Sequence, residues 1–210
     1  LGGAAGQVRT AASAGGASAR ADGRWRALLV VPVTVLPNWE TELLRKWTPA
    51  WGDRLRVASL DGKHAASAKD RAQLVRAWAR GAHDVLLMGY EQLRAAVKWA
   101  GGGGDGAAGG QAAGCCAKAQ LLRDLLNPGP DLVVCDEAHV LKNANAGATK
   151  VLKAMATRRR IALTGTPMQN SLLEYYAMVD FVRPDFLGTP AEFANQYANP
   201  IAQGCARDAT

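Results

Sequence analysis

From Arg26 onward, short unbroken apolar runs alternate with stretches in which apolar residues recur every three or four positions. Arg26 to Val31 reads as a strand ended by Pro32. In the next stretch Leu36, Trp39, Leu43 and Trp47 fall on one side of a helix and Glu40, Glu42, Arg45 and Lys46 on the other, which places both tryptophans in a core. Arg56 to Leu60 is a second strand with Asp61-Gly62 as its turn. Ser67 and Asp70 have the spacing of a capping box, opening a helix that runs through Arg80 and buries Leu74, Val75 and Trp78. Asp84 to Met88 is the third strand. Ala117 to Leu126 is a helix closed by Asn127-Pro128-Gly129-Pro130. Leu132 to Cys135, an unbroken apolar run after that break, fits a strand buried on both faces of a parallel sheet. Asn145 is placed to cap a helix whose buried stripe is Ala148, Val151, Leu152 and Met155, and Ile161 to Leu163 is a further strand. Leu172, Leu173, Tyr176, Val179 and Val182 outline another helix, stopped by Pro184. Thr189-Pro190-Ala191-Glu192 combines a capping box with a proline in the first turn. Strands alternating with helices in this way predict an α/β domain built on a parallel sheet with helices on both faces.

Two segments break the alternation. Residues 1–23 are mostly Gly, Ala and Ser with a few Arg, too poor in large apolar groups to offset the entropy of ordering, and are expected to form a disordered linker ahead of a domain spanning 24–210. Gly101 to Gly114, almost wholly Gly and Ala, has the composition of a flexible insertion. The 210 residues suffice for one domain with an ample core.

Charge and cysteine content narrow the picture further. With 25 Lys and Arg against 18 acids the formal charge is +7, a balance that favours polyanions such as nucleic acid. The four cysteines show neither Cys-x-x-Cys spacing nor the density of a disulfide framework, which fits a reducing compartment, and Cys115-Cys116 read as incidental thiols. No apolar run approaches the length of a membrane span, and the amino terminus lacks the pattern of a secretory signal.

The chemistry concentrates where the fourth strand ends. Asp136 and Glu137 would sit at its carboxyl edge, where ligands bind in open α/β sheets. A carboxylate is a hard oxygen ligand, so Asp136 suits Mg²⁺ held together with nucleotide phosphates. Glu137 beside it can orient and deprotonate an attacking water. Arg158, Arg159 and Arg160 precede the next strand, hence lie on the opposite edge, and are expected to complement the carboxyl end of the preceding helix rather than bind nucleic acid.

Asp136-Glu137-Ala138-His139, followed one helix and one strand later by Thr164-Gly165-Thr166-Pro167-Met168-Gln169-Asn170, resembles motifs II and III of superfamily 2 helicase-like ATPases, and among them the Swi/Snf-type DNA translocases. Thr164-Gly165-Thr166 stands where related RNA helicases carry Ser-Ala-Thr, which argues for DNA. The block from Leu29 to Trp47 resembles motif Ia, Asp84 to Glu91 resembles motif Ib, and Met178 to Ile201 resembles the ATRX-like branch, so the likeness runs from about Leu28 to the last residue. It implies a RecA-like (P-loop NTPase-type) parallel sheet, the first lobe of a two-lobe motor, using ATP and Mg²⁺ and acting on duplex DNA and nucleosomes in the nucleus.

By resemblance, Asp136 and Glu137 are catalytic, with Asp136 meeting Mg²⁺ through the nucleotide. His139, Thr164, Gly165, Thr166, Gln169 and Asn170 couple the ATP site to DNA. Pro32, Asn38, Gly89, Tyr90, Lys142 and Asn143 touch DNA, Gly89 through its backbone amide because it stands where many relatives carry a hydroxyl residue. A Gly-x-x-x-x-Gly-Lys-Ser/Thr loop is not found in the sequence, and its place in such a lobe would be upstream of Leu1. The second RecA-like lobe that the resemblance implies is not found in the sequence either, so the chain is expected to be a fragment, or an incomplete gene model, of the first lobe. The alternatives are a DNA-binding or scaffold remnant without the phosphate loop, and an RNA helicase lobe.

Overall fold

The computed structural model describes residues 25–50, 55–61, 65–100, 121–127, 129–143, 146–165 and 172–204. Five strands, β1 (Ala27–Val31), β2 (Val57–Ser59), β3 (Val85–Gly89), β4 (Leu132–Cys135) and β5 (Arg160–Ala162), form one sheet in the order β2-β3-β1-β4-β5. Every pairing is parallel, with Leu29 flanked by Leu87 on one side and Val134 on the other. All strands therefore end at the same edge. The expected α/β architecture is observed, and because β1, β3 and β4 are neighbours, the loops after them converge.

Helices cover the two faces unequally. One face packs Leu28, Val30, Leu86, Met88, Val133 and Cys135 against α2 (Ala68–Ala79), α3 (Tyr90–Ala100), α4 (residues 121–126), α5 (Gly147–Ala154) and α6 (Leu172–Val182). The other packs Leu29, Val31, Val85 and Leu87 against Leu36 and Trp39 of α1 (Leu36–Glu42) and against Leu43 just after it. On that face, among the described residues, Leu132 and Val134 are half-buried rather than enclosed on both sides, and Ile161, beside Val134, is exposed.

Local signals explain most boundaries. Ser67 accepts from Asp70 N–H and Asp70 accepts from Ser67 N–H, and Thr189 with Glu192 repeats the device at α7 (Pro190–Phe193). The stripe Ala148, Val151, Leu152 and Met155 is buried as expected. Three expectations are corrected. The helix after β1 widens into a π-helical turn at Leu43–Trp47, where Thr48 N–H bonds back to Leu43 C=O; the inserted residue rotates Trp47 off the apolar side and leaves it exposed. The α5 cap position falls on Ala146, which makes no side-chain cap, and Asn145 lies outside the described residues. On α6 the buried side is Ala177, Met178 and Phe181, while Leu173 is exposed. The segments 1–23 and 101–114 also lie outside the described residues.

Candidate functional site

The site grows from the end of β4. Asp136 continues the ladder, its N–H donating to Val30 C=O at 2.9 Å, and the chain then turns into a short 3₁₀ segment, Ala138–Lys142. That turn is made by Glu137 at φ 49°, ψ 50°, a left-handed conformation that costs a side-chain-bearing residue about 1–2 kcal/mol. Strain of this kind persists only where the surroundings impose it. Here they do. Ala138 N–H donates to Leu163 C=O and Leu163 N–H to Cys135 C=O, each at 2.8 Å, so the turn after β4 is stitched to the strand end that carries Thr164 and Gly165.

Both oxygens of Asp136 are held. Glu137 N–H donates to Oδ1 at 2.9 Å and the Trp39 indole N–H donates to Oδ2 at 2.7 Å. Tyr90, buried at the start of α3, donates its hydroxyl to Asp136 C=O at 2.9 Å. Burial, with Cys135, Asp136 and Glu137 close by, pushes the Tyr90 phenol well above its ordinary range, so it stays a neutral donor. Burial likewise pushes the Cys135 thiol up to about 12, which leaves it an inert apolar group beneath the site. His139 lies with Nδ1 3.1 Å from Glu137 Oε2, without the alignment of a hydrogen bond. Lys142 Nζ stands 3.2 Å from Glu174 Oε1 on α6.

The sequence-expected residues distribute as follows. Asp136, Glu137, His139, Lys142 and Thr164 gather around the β4 and β5 ends, with Gly165 exposed at the rim. Thr166, Gln169 and Asn170 lie outside the described residues. Pro32 opens the β1–α1 loop at the same edge, exposed Asn38 lies in the first turn of α1, and Asn143 follows the 3₁₀ segment. Two details change. The Gly89 amide is not available to a phosphate, because it donates to Gln92 Oε1 at 2.8 Å. Tyr90 cannot offer its ring to DNA from a buried position, and it serves Asp136 instead. Sequence reading also missed the Trp39 contact; its helical spacing marked Trp39 as core, which accounts for the ring and not for the N–H.

The carboxyl edge thus combines a doubly held carboxylate, a strained acid beside it, and loops from three neighbouring strands. A parallel sheet arranged around such an edge defines a RecA-like α/β lobe. The chain belongs to the SNF2-related domain family, whose pattern it matches over residues 10–209. It is 42% identical over 178 residues to Protein CHROMATIN REMODELING 20 of Arabidopsis thaliana, covering 85% of this chain and 11% of that protein. It is 34% identical over 189 residues to Transcriptional regulator ATRX of Mus musculus, covering 88% and 7% respectively. Among solved structures it is similar to the Sulfolobus solfataricus SWI2/SNF2 ATPase core in complex with dsDNA, at 25% identity and a TM-score of 0.54, over 85% of this chain and 29% of that one. The chain spans 7% to 11% of the length of those two curated relatives.

Proposed function

We propose that the chain forms part of the ATP-binding lobe of a nuclear, ATP-dependent DNA translocase of the chromatin-remodelling kind, which moves on duplex DNA and engages nucleosomes together with a second RecA-like lobe. One observation carries this reading: Asp136 and Glu137 stand adjacent at the carboxyl edge, the first fixed through both oxygens, the second forced into a left-handed turn. The donor set suits Mg²⁺ taken with a nucleotide. Among the described residues no group of three or more His, Cys, Asp or Glu could enclose a metal, so the protein offers one or two acids and leaves the remaining positions to phosphate and water. Asp136 would hold the ion, which when bound neutralises phosphate charge. Glu137 takes the proton of the attacking water. His139, Thr164, Gly165, Thr166, Gln169 and Asn170 relate this site to the DNA side, where Pro32, Asn38, Lys142 and Asn143 meet backbone phosphates. Gly89 and Tyr90 serve the fold at that edge, the first through its amide on Gln92 and the second through its hydroxyl on Asp136 C=O. The likeness to a chromatin remodelling protein and a transcriptional regulator supports a nuclear protein, and the dsDNA of the Sulfolobus complex supports duplex DNA as the track.

Kinetics of the full-length protein test this. Glu137→Gln should lower DNA-stimulated ATP turnover by about 100-fold or more while nucleotide still binds, since the amide keeps the shape and removes the base. Asp136→Asn should weaken Mg²⁺-nucleotide binding as well. The 210-residue chain alone should hydrolyse ATP no faster than background, because its sequence holds no Gly-x-x-x-x-Gly-Lys-Ser/Thr loop to place the phosphates. Near-normal turnover by Glu137→Gln would refute the assignment.

A further inference from the structure

The bond from Trp39 to Asp136 joins residues 97 positions apart, and its 2.7 Å lies in the range of a charge-assisted hydrogen bond. We propose that Trp39 is a positioning residue for the metal-holding carboxylate: it fixes Asp136 Oδ2, and through its place on α1 ties that oxygen to the β1–α1 loop. The inference rests on the nucleotide reading above.

Three observations support a role beyond packing. An indole has a single donor and no acceptor, so its one bond marks where the ring is aimed. Trp78 supplies the contrast: it is wholly buried in the larger core and its Nε1 has no hydrogen-bond partner, which is how a tryptophan held only by packing looks in this fold. Trp39 packs against the smaller cluster with Leu36 and Leu43, yet sends its N–H to the acid at the sheet's carboxyl edge.

Secondly, the bond completes a frame. Asp136 is held at N–H by β1, at Oδ1 by its own turn, at C=O by Tyr90 and at Oδ2 by α1. Without Trp39 the last oxygen has no hydrogen bond among the described residues, and the carboxylate can rotate about its terminal torsion, which is broad. Each oxygen keeps a further lone pair, so the frame orients the acid without consuming its capacity for Mg²⁺.

Thirdly, Trp39 directly follows Asn38, and the loop before it is tight: Val35 N–H donates to Pro32 C=O, and Asn38 and Trp39 N–H both donate to Val35 C=O, all at 3.1 Å. A shift of this loop on meeting a phosphate would move the indole, and the acid with it.

The contact itself is read in the 210-residue chain. Its six tryptophans give six indole ¹H–¹⁵N resonances, and Trp39→Phe identifies one by its loss. That resonance should lie downfield, and Asp136→Ala, which leaves Trp39 in place, should move it upfield. The consequence is read in the full-length protein. Trp39→Phe keeps an aromatic ring and removes the donor, so the Mg²⁺ concentration giving half-maximal ATP turnover should rise about three- to tenfold, with little change in rate at saturating Mg²⁺. A resonance unmoved by Asp136→Ala overturns the bond. An unchanged Mg²⁺ requirement in Trp39→Phe overturns the positioning role and leaves the function standing. If the unsubstituted full-length protein shows no DNA-stimulated turnover, the nucleotide reading falls instead, and the resonance still decides the contact.

Discussion

The two edges of the sheet use the same residue types to opposite ends. At the amino edge charges are closed upon the fold. Arg56 reaches Asp84 through Nε at 3.1 Å and Nη2 at 2.9 Å while Nη2 also reaches Gly81 C=O, and the backbone N–H groups of Arg26 and Asp131 bond across the edge to Asp131 Oδ2 and Arg26 C=O. Arg160 donates to the carbonyls of Lys153 and Met155 at the end of α5, of Phe181 near the end of α6, and of Thr157. At the carboxyl edge, among the described residues, the Glu137 carboxylate meets a poorly aligned His139, and Lys142 meets Glu174 at a half-exposed position. A net charge of +7 therefore overstates what nucleic acid can find, since several arginines serve helix ends and carboxylates far from the ligand edge.

The sharpest way to break this contrast is Arg160→Met. The side chain bonds to four carbonyls, three of them at or near helix ends where they have few other partners. Methionine retains the bulk and leaves those groups bare, so stability should fall by about 3 kcal/mol. Urea unfolding measures it. DNA affinity of the remaining folded protein, and its salt dependence, should not move; a reduced salt slope would place Arg160 among the phosphate contacts and erase the difference between the edges.

Lys142→Ala is the reciprocal experiment. Its ion pair with Glu174 is half-exposed and screened, so the loss should cost no more than about 0.5 kcal/mol. Binding to duplex DNA should weaken on all sequences alike, and the slope of log affinity against log salt should shrink by about one. Strong dependence on sequence would contradict a phosphate contact. Glu174→Gln, which frees the ammonium, should tighten binding slightly.

What the sequence reveals follows the same division. Strands, capping boxes and the α5 stripe were legible because each is written within a few residues, as periodicity or a fixed offset. Arg158 to Arg160 could be kept off the DNA side because strand direction alone puts them at the amino edge, and Arg160 does close the α5 end. The pair at 136 and 137 was visible as a motif, yet the groups that frame it were not. Trp39 and Tyr90 reach Asp136 across 97 and 46 residues, and no local pattern records a contact between side chain and site over that span. Trp47 failed for a different reason, since one π-helical turn shifts the register that the spacing assumes.

The smallest effect concerns the strain itself, and it separates site from scaffold more finely. Two residues other than glycine have positive φ among those described, Glu137 at 49° and Asp185 at 62°. Replacing either with glycine removes a cost of about 1–2 kcal/mol for the left-handed conformation and adds about 0.5–1 kcal/mol of backbone entropy in the unfolded chain, so each should gain roughly 0.5 kcal/mol. Glu137 gives up a weak contact with His139 in the exchange. Asp185 keeps its bonds, because its N–H donates to Asp180 Oδ1 and its C=O accepts from Gly188 N–H, both through its backbone. The two variants should therefore melt at or slightly above the unsubstituted chain. They should part in the full-length protein, where Asp185→Gly keeps DNA-stimulated turnover and Glu137→Gly loses it. If Glu137→Gly instead melts well below the parent, the left-handed turn is held by contacts of its side chain, and the acid belongs to the scaffold as the amino-edge charges do.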